Sequence, residues 1–362
     1  MNPPARVSLG DVANEAKVSR MTASQALRGV GRLRPDTIDR VRAVARRLGY
    51  MPNPRLSQIM AETARTRHCT RNGVLAFLST EPPGGMPASD EEKSFPAAVE
   101  RANAYGYGME RFWILEPGMS ANRFNDILWA RGIEGLIIPN ISGQLFSKGQ
   151  RTLPIAWEKF SVVEIGGSML KPEVNRVRHD HFGAIIKAIH RLEQLNYRRI
   201  GLCMTREVDL RTHHRWSAAY LLWRTLRPAV ADLSPLLVDA ADSKRVVKWV
   251  RKNRLDAVLS PGDPFLTALR QGGIDVPGEI GFASLHIRGQ EANLMTGIDQ
   301  ELILLACAAV DMLITLIHQR QRGVPEHPGE LLFNGVWQNG QTVRCLPTST
   351  ELPDPDDQLL SF

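Results

Sequence analysis

Residues 18–29, VSRMTASQALRG, set Ser19, Arg20, Met21, Thr22, Ser24, Gln25 and Arg28 among small apolar residues. No nucleophile–base pair is present, so the chemistry on offer is hydrogen bonding rather than catalysis. Short hydroxyls and amide N–H groups at a helix N-terminus suit phosphate oxygens. An arginine in the first turn reaches guanine O6 and N7 in a major groove. The competing reading of these residues is a small three-helix bundle that binds protein.

Positioning this face takes three short helices. Leu9, Val12, Ala13 and Ala16 recur at the spacing of one buried helix face, and Ser8 stands where it caps the run. Ser19 occupies the next N-cap position. Ala23, Ala26 and Leu27, with Thr22, form the inner face of a second helix ending at Gly29. A third helix is expected after RPDT, carrying Ile38, Val41, Val44, Ala45 and Leu48, and stopping at Gly49 and Tyr50 before the prolines of MPNP. Two short helices joined by about four residues, then a third, is helix-turn-helix geometry. The outer face of the second helix then presents Arg20, Met21, Ser24, Gln25 and Arg28.

Charge points the same way. Residues 1–71 carry 14 Lys and Arg against 5 Asp and Glu, a net +9, whereas the remaining residues carry 31 against 33. A basic module on a near-neutral body is the electrostatic footprint of nucleic-acid binding. The 362 residues, 43% hydrophobic and 23% charged, suffice for two or three domains. The four cysteines lie far apart, which argues against a zinc site or a disulfide framework and fits a reducing cytoplasm. The N-terminus lacks the apolar stretch of a signal peptide, and no apolar run is expected to reach the ~20 residues of a membrane span. GxSxG, HExxH, GxGxxG and GxxxxGK[ST] are absent, so neither an enzyme nor a cofactor is expected. The adjacent histidines of RTHHR would point apart on a helix, which argues against a metal site.

From Gly73 onward, strand and helix patterns alternate. GVLAFLS, MERFWIL, IEGLIIP, SVVEIGG, RRIGLCM, LDAVLSPGD and IGFASL read as buried strands, each preceded or followed by a helical segment. Alternation of this kind builds parallel sheets covered by helices. The spacing suggests two α/β subdomains.

VSLGDVANEAKVSRMTASQALRG followed by TIDRVRAVARRLGYMPN resembles the headpiece of the LacI/GalR family of transcription regulators. The resemblance runs without a gap from about Val7 to Asn53 and continues more weakly through RGIEGLIIP, HRLEQLNYRRIGLCM, LDAVLSPGDPFLTALRQGGIDVPGEIGFASL and GIDQELILLACAAVDMLI. It implies an all-α helix-turn-helix headpiece followed by an α/β core like a periplasmic binding protein, with two parallel-sheet subdomains. Arg20 and Met21 then occupy base-reading positions; Ser19, Ser24, Thr37, Tyr50 and Asn53 fall on backbone-contact positions; Leu9, Gln25 and Arg28 lie near the groove, and Thr22 is a further expected DNA contact. The turn carries Lys17 where the family usually has glycine, so a side chain must tolerate a left-handed turn at a cost of about 1 kcal/mol. Ala23 and Gln25 also depart from the family pattern.

The resemblance divides the chain into a headpiece at 1–53, a hinge at 54–70, a first core subdomain at 71–175 plus 298–330, and a second at 176–297 plus 331–346. The composition of 347–362 predicts a disordered tail, without the leucine heptad that makes tetramers, so a homodimer is expected. Crossings between subdomains are expected near residues 172–178, 294–299 and 327–332. In the hinge, Leu56, Ile59 and Met60 form an apolar edge, and Ile59 or Met60 is the residue expected to wedge into the minor groove. Ligands bind beyond the carboxyl ends of parallel strands, which selects Ser79, Glu81, Phe95, Asp180, Arg215, Trp216, Asp263 and His286. A family arginine matches Arg211 or Arg215. An aromatic ring among polar groups fits a sugar-like effector. The partners so implied are double-stranded operator DNA, a small effector and a second copy of the chain, with no metal and no membrane. The alternative is a small-molecule binding protein that no longer binds DNA.

Overall fold

The computed structural model describes residues 7–28, 33–48, 50, 73–79, 82, 89–140, 153–169, 171–288 and 292–347. Asn53, Ile59, Met60, the whole 54–70 hinge, Glu81, the side chain of Arg28 and the tail beyond residue 347 lie outside the described residues. The chain forms two compact units, Met1–Asn72 and Gly73–Phe362.

The first unit contains α1 (Leu9–Glu15), α2 (Arg20–Arg28) and α3 (Pro35–Leu48). Ser8 and Asp11 form a capping box: the Asp11 amide donates to Ser8 Oγ at 3.3 Å, and the Ser8 amide donates to Asp11 Oδ2 at 2.7 Å. Ser19 caps α2, accepting from the Thr22 amide at 3.0 Å. The third helix starts at Pro35, earlier than expected, because proline at the first helical position is already set to helical φ. Val12, Ala13, Ala16, Ala23, Ala26, Val41 and Ala45 are buried between the three helices. Lys17 adopts φ 54° in the turn. Lys17→Gly should therefore raise headpiece stability by up to about 1 kcal/mol; a lower thermal midpoint for the variant contradicts this.

The second unit contains two six-stranded sheets. Their strands are β1 (Val74–Ser79), β2 (Gly108–Trp113), β3 (Ile133–Ile138), β4 (Ser161–Ile165), β5 (Asn175–His179), β6 (Ile200–Thr205), β7 (Leu236–Val238), β8 (Ala257–Ser260), β9 (Gly281–Ser284), β10 (Gly297–Asp299), β11 (Glu330–Phe333) and β12 (Val336–Gln338). The first sheet has the order β11-β5-β4-β3-β1-β2 and is parallel throughout. The second has the order β12-β10-β9-β8-β6-β7, with only β12 antiparallel. The helices are α4 (Asp90–Ala104), α5 (Ala121–Ala130), α6 (His181–Gln194), α7 (Arg206–Arg211), α8 (Arg215–Thr225), α9 (Ser243–Asn253), α10 (Pro264–Gln271) and α11 (Leu302–Gln319).

The seven expected strands are all present, joined by five that the pattern did not single out. The chain passes between sheets after His179, Asp299 and Phe333, at the ends of the three expected crossing segments and two to four residues past the 175/176, 297/298 and 330/331 boundaries. The reason is that each crossing strand completes its pairing on the sheet it is leaving. Against expectation, α11 is apolar over 18 residues, long enough by composition to cross a membrane. Its apolar character belongs to packing: Leu305, Ala306, Ala309, Val310, Leu313 and Ile314 are buried with Phe77, Ala98 and Val163 of the first sheet layer. Asp311, its one acidic residue, takes Arg101 Nε at 2.7 Å.

Candidate nucleic-acid interface and effector cleft

In α2, Ala23 and Ala26 are fully buried, which fixes the opposite face toward solvent. Met21 is 72% exposed, and Ser19 and Arg20 are exposed with it. Ser24 and Gln25 are half-buried one turn along. Ser19 Oγ and Thr22 Oγ1 share a hydrogen bond of 2.8 Å, so the hydroxyls at the helix start are held as a pair. The Arg20 guanidinium lies against Gly10, where a methyl group would come within 2.8 Å of Nη2. Hydrogen bonds from Ser8, with a smaller contribution from Arg20, hold the Asp11 carboxyl below its usual range. Leu9 begins α1, half-buried; Thr37 sits in the first turn of α3; the Tyr50 amide closes that helix on Ala45 O at 2.9 Å.

The carboxyl ends of β1, β3, β4 and β5 open onto a cleft lined by Asp90, Glu91, Asn140, Gly166, His179 and His181. Three contacts cross from the first sheet layer to the second. His286 Nε2, beyond β9, meets Asp90 Oδ1 at 3.3 Å. His213 Nε2 donates to Gly167 O at 2.9 Å. Arg215 Nη2 lies 3.9 Å from Glu330 Oε2. The space enclosed, about 40 Å³, holds about three waters. The cleft is therefore closed, and a sugar-sized body requires it to open.

Two electrostatic networks form its walls. Burial opposes ionisation of Asp90, but His286, and then Arg288 and Arg211, outweigh it and hold the carboxyl well below its usual range. Below them, buried Glu164 accepts from Arg176 Nε at 2.7 Å and from the Met169 amide at 2.8 Å. Burial raises the Glu164 carboxyl, with Arg176 opposing. Arg178 pairs with Glu330. The rings of His179 and His181 meet edge-on at 5.4 Å, and His181 meets Trp216 at 4.7 Å.

Of the expected effector residues, Arg211 and His286 belong to the first network, Arg215 reaches Glu330 of the second, and Trp216 packs against His181. Ser79 is buried and donates to Glu91. Phe95 turns away from the cleft, packing edge-on against Phe77 at 5.3 Å and beneath Arg111 at 4.1 Å. Asp180 caps α6 by accepting from the Phe182 amide. Asp263 begins α10 without a side-chain cap. His213 and His214 stand in a left-handed turn, φ 54° and 58°, rather than on a helix. Among the described residues no cluster of metal-binding side chains forms. Asp90, Glu91, Asn140, His179, His181, Arg288 and Gln300 were missed by the sequence reading. SDEEK carries no signal beyond the acids common at a helix start, whereas NRVRHDHFG, with two histidines at a strand end, held a usable one.

Burial, then the neighbouring His286, pushes the His179 imidazole down to about 4. Burial and His179 push His181 well below its usual value. Unfolded histidine takes up its proton near pH 6.5, while these two in the folded state do not. Stability should therefore fall as pH drops from about 6.5 toward 4, by about 1.4 kcal/mol per pH unit for each histidine. Asp90 adds nothing in this window, because its depressed carboxyl loses stability only below the unfolded carboxylate range. Urea midpoints at pH 7 and pH 5 measure the effect. The variant His179→Asn/His181→Asn should flatten it, and an unchanged slope contradicts the assignment.

Residues 8–53 match the family described as bacterial regulatory proteins, lacI family. A helix-turn-helix transcriptional regulator of Mycolicibacterium smegmatis is 26% identical over 348 residues, covering 92% of this chain and 84% of that protein. Among solved structures, the transcriptional regulator CelR–cellobiose complex is similar with a TM-score of 0.52 and 18% identity, covering 93% of this chain and all of that one. The lac repressor dimer bound to operator and the anti-inducer ONPF has a TM-score of 0.53 and 16% identity, covering 94% of this chain and all of that one. A helix-turn-helix module ahead of a periplasmic-binding-protein-like core defines a DNA-binding transcription regulator, not an enzyme. Residues 8–53 thus carry a helix-turn-helix domain of the lacI family, and the core behind it shares the fold of those regulators.

Proposed function

We propose that the protein is a homodimeric repressor that reads a pseudo-palindromic operator and releases or retains it according to a small polar effector in the core cleft. The observation that carries the reading is the outer face of α2, with Arg20 and Met21 exposed at the start of a helix in a module of net +9. Arg20 and Met21 contact bases. Ser19, Thr22, Ser24, Thr37, Tyr50 and Asn53 contact the backbone, and Leu9, Gln25 and Arg28 border the groove. Ile59 or Met60 enters the minor groove. A two-fold protein demands two-fold DNA, so each copy reads one half-site. Exposed Leu222, Leu226, Ile303 and Leu304 are available to a second copy. The effector occupies the cleft among Ser79, Glu81, Arg211, Arg215, Trp216, Asp263 and His286, with Phe95 and Asp180 supporting the walls. The fold likeness to a cellobiose complex supports the cleft as the effector site. The protein works in the cytoplasm, where its DNA lies.

Fluorescence anisotropy against a labelled duplex at increasing salt tests the reading. Several phosphate contacts per copy require log affinity to fall steeply with log salt, at a slope of about −0.9 per phosphate neutralised. A flat response contradicts DNA binding by the basic headpiece.

A further inference from the structure

The buried side-chain atoms around the cleft that make no hydrogen bond among the described residues include Arg211 Nε, Arg215 Nε and Trp216 Nε1, with ring nitrogens of His179, His181 and His286 and Asp90 Oδ1. The first three can only donate. A buried donor without an acceptor is costly in a folded protein, and such a group beside a cleft marks the place of a ligand atom. What fits here is a ligand rich in acceptors.

The charges narrow this further. Arg211 and Arg288 act on each other and on Asp90. Asp90 is already engaged by His286 at 3.3 Å. Glu207 approaches Arg211 only to 3.7 Å, from a half-exposed position one turn back on α7. Arg288 enters no hydrogen bond or ion pair among the described residues and rests against Gly262, where a methyl group would meet its Nε at 3.2 Å. Of the two guanidiniums, Arg211 has only a half-exposed Glu207 near the limit of ion-pair distance, Arg288 has no partner of its own, and both share Asp90 with a histidine. Burial works against the charge of Arg211, with Arg288 adding to the strain and Glu207 and Asp90 relieving it. Guanidinium does not shed its proton, so the deficit must be met by a counter-charge.

We propose that the cleft takes an anionic effector, a small polyhydroxylated molecule bearing a carboxylate or phosphate that bridges Arg211 and Arg288. The inference rests on the reading of the cleft as the effector site. Forked donors from two arginines match two or three oxygens of one acid group. Trp216 and Arg215 then serve the hydroxylated body. A neutral sugar satisfies the donors but leaves the charge deficit in place.

The test is thermal unfolding of the full chain titrated with D-glucose, D-gluconate, D-glucose 6-phosphate and inorganic phosphate. It is run on wild type, Arg211→Gln, Arg288→Gln and the double variant. At least one anion should raise the wild-type midpoint with an apparent affinity tenfold or more above that of glucose, and the double variant should lose that gain. A response to gluconate identifies the carboxylate, and a response to the phosphates identifies the phosphate. Without ligand, Arg211→Gln should keep or raise the midpoint, because it removes a strained charge. A lower midpoint would assign Arg211 to structural support of Asp90 and overturn the proposal. Stabilisation by glucose equal to that by gluconate overturns the anionic reading while leaving the cleft as the effector site. Stabilisation by anions that persists in the double variant places them elsewhere, such as the basic headpiece, and overturns it too, as does a wild-type midpoint that no anion moves.

Discussion

Arg20→Ala weakens binding to the preferred duplex by about 1–3 kcal/mol, roughly 5- to 150-fold, and relaxes base preference at one position of each half-site. The expectation follows from where the side chain sits. Arg20 is the first residue of α2, exposed, and steadied against Gly10 rather than consumed by a buried ion pair. Its removal leaves the buried Ala23 and Ala26 untouched, so the headpiece keeps its fold. Thr37→Ala supplies the contrast, since loss of a backbone contact weakens all sequences alike. Selection from random duplexes with each variant separates the two. An unchanged preferred site for Arg20→Ala contradicts its role as a base reader.

Gly297→Ala has the largest expected effect on folding. Gly297 adopts φ 150° where β10 meets β9, and a methyl group there would lie 2.0 Å from Ser284 O and 2.5 Å from Ser284 N. Both are backbone atoms, so relief requires the strand to move. The cost is about 3 kcal/mol or more, at the upper end of single substitutions. The damage should reach the cleft. Ser284 Oγ accepts from the Gly262 amide at 3.2 Å and from the His286 amide at 3.1 Å. Moving Ser284 therefore shifts the supports of Arg288 and of the His286–Asp90 bridge together. A thermal midpoint equal to wild type contradicts this packing.

How far the sequence revealed the molecule depended on how local the signal was. Ser8, Ser19 and the apolar spacing of α1 and α2 act within one helical turn, and each capping residue stands where the structure uses it. The strands that read clearly are apolar runs buried on both faces, such as VLAFLS. By contrast, β5 is NRVRH, and its arginines disguise a buried strand. They are tolerated because Glu164 and Glu330, distant in sequence, pair with them across neighbouring strands. The short strands β10 and β12 depend on tertiary pairing in the same way, and for that reason the expected subdomain boundaries fell two to four residues before the strand ends. Within the cleft, His286 was legible because it follows a strand end. Its partner Asp90 was not, because an acid in the first turn of a helix ordinarily serves the helix dipole. Phe95 was misplaced for a related reason: helical phase alone does not say whether an aromatic ring faces a cleft or, as here, a neighbouring arginine.

The most direct measurement is selection of bound duplexes from a random pool by the full chain, followed by footprinting of the winner. The expected result is an inverted repeat whose half-sites are both protected, with two chains per duplex and half-sites about one helical turn apart. An enriched single half-site bound by one chain, or no enrichment over the starting pool, would contradict a dimeric operator-reading regulator.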